Sequence, residues 1–497
     1  MPRIGLWLLA LMVLTASSAS SQTSKTSPAA AKQPATPAVK AAARTGAPGV
    51  TGKWVGDFDG MVKRRVIRIL SPYSRTHYFI DKGVQRGVAY DAGAKLEVEI
   101  NKTLKTTPAT RIHVVFLPTS RDGLQKALVE GRGDIVAANI TVTPEREKLV
   151  DFAVPGKTGV REIIVTGPGA PVLKTLDDLS GKDVYVRDRS IQFESLTALN
   201  ASLKQKGKAP VVIKTVPMSL EDEDILEMVS AGLLKTSVVD DFMGEFWKQV
   251  LPGLTLHPDL SVREDGAIAW AARKGSPKLM AVLNPFITAN KQGTLFGNSI
   301  LQKYLKSAKF VKNATAGEDL KKFQATMEIF KKYGTQYSLD YLLVMAQGYQ
   351  ESGLSQEAKS QVGAIGVMQV MPATGKELNV GDINEITPNI NAGVKYIRFM
   401  IDQQFAGEPI DDFNKELFAF AAYNCGPGRL KSLRREAKTK GLNPNVWFNN
   451  VERIAGERVG RETVQYVSNI YKYYVAYSLM LDQMQDKAAA KLTIKGH

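Results

Sequence analysis

Between about Lys63 and Leu305, short β-branched runs alternate with stretches whose apolar positions recur at helical spacing. Val66-Ile67-Arg68-Ile69-Leu70, Ile112-His113-Val114-Val115-Phe116, Asp134-Ile135-Val136-Ala137-Ala138 and Val184-Tyr185-Val186 are such runs. Strand-sized runs separated by helices predict α/β layers around a parallel sheet. After Ala316 the pattern changes to helix after helix, with amphipathic stretches at Leu320 to Tyr333, Leu339 to Gln350, Asn391 to Phe405 and Thr463 to Leu481. This second unit reads as all-α. The join falls near Lys306 to Glu318, where Lys-Ser-Ala-Lys and Asn-Ala-Thr-Ala-Gly interrupt the periodicity. Nothing repeats at a fixed period, so a solenoid is not supported.

The N-terminal pattern is different. Met1-Pro2-Arg3 precedes an apolar run from Ile4 to Leu14 and then small residues through Ala16, Ala19 and Ser21. That is the three-part form of a secretory signal, predicted over residues 1–21. The run is shorter than the about 20 apolar residues a membrane span needs, which favours a cleaved signal over a retained anchor. No cysteine follows it to carry a lipid. Residues 22–55 are rich in Ala, Pro, Ser, Thr and Lys and read as a disordered linker. The expected location is outside the cytoplasm.

Composition narrows the function classes. At 497 residues the chain suggests about three compact units or two larger ones. With 44% hydrophobic residues it has ample material for real cores. Lys+Arg 65 against Asp+Glu 49 leaves +16, which favours an anionic partner. Export argues against nucleic acid and leaves an acidic wall polymer or lipid headgroups. Cys425 is the sole cysteine, so no intrachain disulfide or thiolate cluster can form. His77, His113, His257 and His497 lie far apart, and neither a metal site nor a cofactor is expected.

Candidate chemistry lies in the helical unit. Ser338 can cap a helix whose apolar stripe runs through Leu342, Met345, Ala346 and Tyr349, and Gly353 can end it. Glu351 then falls in the last turn, where the negative end of the helix dipole, with burial, raises a carboxyl pKa. A carboxyl still protonated near neutral pH is what a general acid requires. Glu357 should lie on a loop outside any cleft past Gly353, and Asp382 and Glu385 look like loop or cap residues.

Around this acid stand Glu351-Ser352-Gly353, Gly363-Ala364-Ile365-Gly366-Val367-Met368-Gln369-Val370-Met371-Pro372, Ala422-Tyr423-Asn424-Cys425-Gly426 and Glu462-Thr463-Val464-Gln465-Tyr466, in that order. Together they resemble the soluble-lytic-transglycosylase domain, a goose-lysozyme-like helical module of bacterial peptidoglycan lyases, over about Gln336 to Leu481. The resemblance implies a single acid, matched by Glu351. It would protonate the bond between N-acetylmuramic acid and N-acetylglucosamine, then act as base on the muramoyl 6-hydroxyl to close a 1,6-anhydro ring. It also implies substrate-binding roles for Ser352, Gly366, Met368, Gln369, Tyr423, Asn424 and Tyr466. Val367 stands where leucine is usual, and the Met368 side chain suits a core better than a substrate contact.

In the first half, Gly131-Arg132-Gly133-Asp134-Ile135-Val136 through Thr141 and Arg146 to Val150-Asp151-Phe152 is similar to the family 3 extracellular solute-binding proteins. Asp178-Leu179-Ser180-Gly181-Lys182-Asp183 and Gly266-Ala267-Ile268-Ala269-Trp270 extend that resemblance. It implies a two-lobed α/β receptor that closes on an amino acid or similar small ligand. Thr141 and Arg146 would hold a ligand carboxylate, a task suited to a guanidinium fork, and Asp240 would receive an ammonium. Arg189-Ser190 departs from the usual glycine-containing turn, and Lys235-Thr236 from the usual Asp-Ala.

The expected organisation is therefore a signal (1–21), a linker (22–55), a solute-binding-like domain (56–310), an all-α lysozyme-like transglycosylase domain (318–485) and a tail (486–497). The expected function is a periplasmic peptidoglycan lyase, with glycan strands as partner and an amino acid or muropeptide as ligand of the first domain. A hydrolytic muramidase and a non-catalytic wall-associated receptor are the rivals.

Overall fold

The alternating runs form one continuous nine-stranded sheet in the computed structural model, which describes residues 50, 52–308 and 317–495. The signal expected over 1–21 and most of the linker expected over 22–55 lie outside the described residues. At the end of that linker, Val50 is buried and the Trp54 ring lies 3.8 Å from the Arg64 guanidinium. Packing thus begins inside the stretch read as linker.

The first lobe holds β1 (Val66–Ser71), the hairpin of β2 (Phe79–Asp81) and β3 (Val84–Arg86), then β4 (His113–Pro118), β5 (Ile135–Thr141) and the short β6 (Val150–Phe152). The second holds β7 (Lys157–Thr166), β8 (Asp183–Arg187), β9 (Val212–Val216) and β10 (Thr236–Asp240), and β11 (Thr255–Arg273) returns to the first. The main sheet runs in the order β4-β1-β5-β11-β7-β10-β8-β9. Within each lobe the parallel pairing expected from the pattern is present, for β1 with β4 and β5 and for β8 with β9 and β10. The expectation fails for β7 and β11, which are antiparallel to each other and to β10 and β5. Their directions are opposed because one leaves the first lobe and the other comes back, which an apolar run does not encode.

The helical half is built around the Tyr341–Ser352 helix, with Leu342, Leu343, Val344, Met345 and Ala346 all buried. Its cap is Asp340 and not the expected Ser338: Asp340 Oδ1 accepts from Leu342 N at 3.0 Å, whereas Ser338 adopts φ +54° in the preceding turn. Gly353 ends the helix in the left-handed conformation, as expected. The surrounding core includes Phe330, Ile397, Phe418, Trp447 and Val467.

The last helix, Arg461–Lys495, runs through the stretch 486–495, where the sequence predicts part of a tail. Its apolar and basic side chains explain the extension, because they have partners in both lobes. Tyr477 Oη donates to Gly83 O at 3.0 Å and Lys472 pairs with Glu97 at 2.6 Å in the first lobe. Lys487 and Lys491 pair with Asp224 of the second at 3.1 and 2.6 Å. Gly83, at φ +84°, allows the β2–β3 hairpin to approach closely: a Cβ there would lie 2.6 Å from the Tyr349 ring. Among the described residues no helix is long and apolar enough to cross a membrane.

Candidate active site

Glu351 occupies the last turn of its helix and is half-buried. Its Oε1 accepts a hydrogen bond from the Tyr466 hydroxyl, which comes from the last helix. Burial pushes the carboxyl up to about 7, and the Tyr466 hydrogen bond offsets part of that rise. Near neutrality this group is therefore present in both acid and base forms. Glu357 is exposed, bonded to Ser355 Oγ at 2.8 Å, and held below its ordinary value by its own backbone N–H and then by that hydroxyl. Asp382 is likewise exposed and binds Asn384, while Glu385 stands at the start of the Ile386–Phe405 helix.

The segment from Gly366 to Gln369 folds over the end of the Glu351 helix. Ser352 Oγ lies 2.8 Å from Val367 O and 3.2 Å from Gly348 O, which ties helix to segment. Gly366 has φ +76°, and a Cβ there would lie 2.5 Å from Asn389 Nδ2, so close approach requires glycine. Gln369, at φ +48°, donates from Nε2 to Gly366 O at 3.0 Å. Tyr423 Oη donates to Met368 O at 2.9 Å. Burial pushes the Tyr423 hydroxyl well above its ordinary pKa, with the nearby Glu351 charge adding to the shift. Asn424 Oδ1 accepts from Thr463 Oγ1 at 2.6 Å, holding the Asp412–Cys425 helix to the start of the last one. The Met368 side chain is fully buried, in the core place that its sequence suggests, and its backbone is bonded at both ends. Cys425 is half-buried and free.

A second cluster lies between the two lobes, around a cavity of about 600 Å³ lined by Arg121, Thr141, Arg146, Arg187, Asp222 and Asp240 among others. Arg146 donates to Thr141 O at 3.0 Å and approaches Glu194 of the second lobe at 3.4 Å, so its fork already has partners. Asp240 is buried, and its Oδ1 has no hydrogen-bond partner among the described residues. Burial first, then the charges of Asp222 and Glu162, push its carboxyl well above the ordinary value. Arg121 of the first lobe pairs with Glu221 of the second at 2.6 Å. All three expected ligand contacts are thus brought to one cleft.

Comparison with known proteins matches both halves separately. Residues 68–307 match the bacterial extracellular solute-binding proteins, family 3, and residues 328–446 match the transglycosylase SLT domain. The chain joins a family 3 solute-binding domain to a transglycosylase SLT domain. It is accordingly an enzyme of the transglycosylase class. The membrane-bound lytic murein transglycosylase F of Desulfosudis oleivorans is 26% identical over 431 residues, covering 82% of this chain and 89% of that protein. The protein of the same name from Aeromonas salmonicida is 27% identical over 449 residues, covering 86% and 84%. Among solved structures, the substrate-binding protein of an amino acid ABC transporter aligns with TM-score 0.40 and 23% identity, covering 49% of this chain and 100% of that one.

Within the SLT domain, three amides, two buried and one half-buried, and one acid are not picked out by the sequence. Asn389 accepts from Met368 N at 2.9 Å and donates to Ile365 O and Ile383 O at 2.9 and 3.0 Å, holding the Gly366–Gln369 segment from beneath. Gln356 donates to Ile383 O and Asn384 O, both at 3.0 Å. Gln347 donates to Tyr466 Oη at 3.1 Å. Glu416 accepts from Asp340 N at 3.0 Å, and burial keeps its carboxyl well above the ordinary value. The available signal was a polar residue on an otherwise apolar helix face, as with Gln347 among Leu343, Val344, Met345 and Ala346.

Proposed function

We propose that the chain is an exported lytic transglycosylase of the bacterial wall. It cleaves the β-1,4 bond between N-acetylmuramic acid and N-acetylglucosamine and leaves 1,6-anhydro-muramoyl ends. The observation that carries this reading is Glu351, a half-buried carboxyl pushed up to about 7 beside the segment built by Gly366, Met368 and Gln369. In its acid form it protonates the glycosidic oxygen as the bond to the muramoyl carbon breaks. As carboxylate it then takes the proton of the muramoyl 6-hydroxyl, whose oxygen closes on the same carbon. A pKa near the working pH suits a group that performs both steps. Glycosidases that deliver water commonly use a second carboxylate; here the substrate's N-acetyl group takes the role of stabilising the cationic centre.

Ser352, Gly366, Gln369, Tyr423 and Asn424 line the sugar groove or hold its walls, and Tyr466 orients the acid. The surplus of basic residues suits a glycan whose peptides carry carboxylates. A small amino acid or muropeptide binding between Arg146, Thr141 and Asp240 regulates the reaction. Support for regulation comes from the last helix, which carries Tyr466 and is also paired to both lobes through Lys472, Lys487 and Lys491.

The test is digestion of purified sacculi with mass spectrometry of the released muropeptides, run beside Glu351→Gln. Anhydro-muramoyl ends that disappear in the variant are expected. Reducing ends would indicate a hydrolytic muramidase, and no cleavage by folded protein would indicate a wall-associated receptor. For regulation, calorimetry with amino acids and muropeptides is expected to give a binding signal that Arg146→Ala removes; an absent signal together with unchanged lysis in Arg146→Ala would exclude it.

A further inference from the structure

Gln347 stands one helical turn before Glu351 and is fully buried in a face otherwise made of apolar side chains. Its Nε2 donates to Tyr466 Oη at 3.1 Å, while its Oε1 has no partner among the described residues. A buried amide with an unpaired oxygen is a net cost to folding, so packing does not account for it. Nothing in the reaction as described above uses it.

The geometry of the hydroxyl supplies a reason. A tyrosine has one hydrogen to donate and lone pairs to accept with, whereas the amide nitrogen of glutamine can only donate. With Gln347 donating into the Tyr466 oxygen, the single Tyr466 hydrogen is committed to Glu351 Oε1. We propose that Gln347 is a positioning residue that sets the direction of the Tyr466 hydroxyl, so that Glu351 Oε1 is held as an acceptor and the proton to be delivered resides on Oε2. This rests on the reading of Glu351 as the acid. Donation into the phenol oxygen also makes its hydrogen a better donor, which favours the carboxylate that must act as base in the second step.

Removing the amide therefore frees the hydroxyl to rotate and weakens its support of the carboxylate. The alkaline limb of the kcat profile, where the acid form of Glu351 is lost, then moves to higher pH. The experiment is the pH dependence of kcat and KM on solubilised glycan strands for the wild-type protein, Gln347→Leu, Gln347→Met and Tyr466→Phe. We expect both Gln347 variants to move the limb upward by about half a unit to one unit and to lower kcat several-fold at its optimum, with KM unchanged. Gln347→Leu placed in the Tyr466→Phe background is expected to move the limb no further, because both changes act through one hydroxyl.

A limb that stays in place in a folded Gln347 variant overturns the proposal, with folding checked by thermal melting. So does a limb that moves to lower pH, which would mean that the relay runs from Glu351 through Tyr466 to Gln347. Glu351→Gln, assayed on the same strands, separates this from the underlying reading. Full activity in that variant would remove Glu351 as the acid. A dead Glu351→Gln with an unmoved limb in the Gln347 variants would remove Gln347 alone.

Discussion

The Tyr466 hydroxyl donates to Oε1 of Glu351 across 115 residues of sequence, joining the first residue of the candidate chemistry to the last helix of the chain. That helix also pairs Lys472 with Glu97 of the first lobe and Lys491 with Asp224 of the second. The environment of the acid is therefore set by an element that both lobes of the solute-binding domain hold.

The pH dependence of lysis follows from the Glu351 carboxyl, pushed up to about 7 by burial. In the proposed reaction the acid form is needed first, so the rate should fall as pH rises through about 7. Glu351→Gln cannot donate the proton and should lose activity by at least about 100-fold at every pH. Muropeptide release measured from pH 5 to pH 9 checks both.

Stability should move the opposite way in that variant. The Glu351 carboxyl has an ordinary value of 4.5 and a folded value of about 7, so the folded state holds its proton longer. The contribution is full below about pH 4.5 and is lost as pH rises through about 7. Glu351→Gln removes the ionisation and should stabilise the protein by on the order of 1–3 kcal/mol at pH 8 and by almost nothing at pH 4, allowing for partial exposure. Denaturant unfolding at the two pH values is the measurement, and an equal gain at both would show that ionisation is not the cause.

Asn389→Ala should loosen the Gly366–Gln369 segment. The substitution leaves Met368 N without its buried partner and takes one donor each from Ile365 O and Ile383 O, which keep Val370 N and Gln356 Nε2. We expect a loss of about 2–4 kcal/mol in unfolding free energy. Because Tyr423 and Ser352 bond to the same segment, KM for glycan should rise as well. A thermal melt and a substrate titration separate the two effects.

Asp224 is buried and held down to about 2 despite burial, by Lys487 and then Lys491. Its folded value lies below the ordinary 3.8, so its contribution to stability is present above about pH 3.8 and lost as pH falls through about 2. Removing both lysines, as Lys487→Met with Lys491→Met, leaves the carboxylate buried without these partners and should cost about 3–5 kcal/mol at pH 7. The deficit should shrink below about pH 4. Unfolding across that range is decisive: a deficit independent of pH would mean that the lysines act through packing.

Much of the candidate site was legible in the chain. Four motifs in a fixed order pointed to Glu351, and Gly353 was placed as the helix stop that leaves it in the last turn, where the structure has it. The helix starts two residues later than the Ser338 cap predicts, because Ser338 and Asp340 are both competent caps and only the backbone turn at Ser338 decides between them. Met368 is the third residue of its motif's Gly366–Gln369 segment, and its side chain packs into the core as its apolar character suggests.

By itself the sequence determined what depends on local order: strand-sized runs in the first half, helical periodicity in the second and one acid at a helix end, while Thr141, Arg146 and Asp240 were named only by resemblance to the solute-binding family. Only the tertiary structure decided what depends on contacts distant along the chain. These are the opposed directions of β7 and β11, the continuation of the last helix through 486–495, the Asp240 oxygen left unpaired among the described residues, and the bonds of Asn389 and Gln347. The physical reason is the same in each case. Hydrophobic periodicity records which face of an element is buried, but not what it is buried against, and the pKa of Glu351 and the direction of the Tyr466 hydroxyl are set by that second quantity.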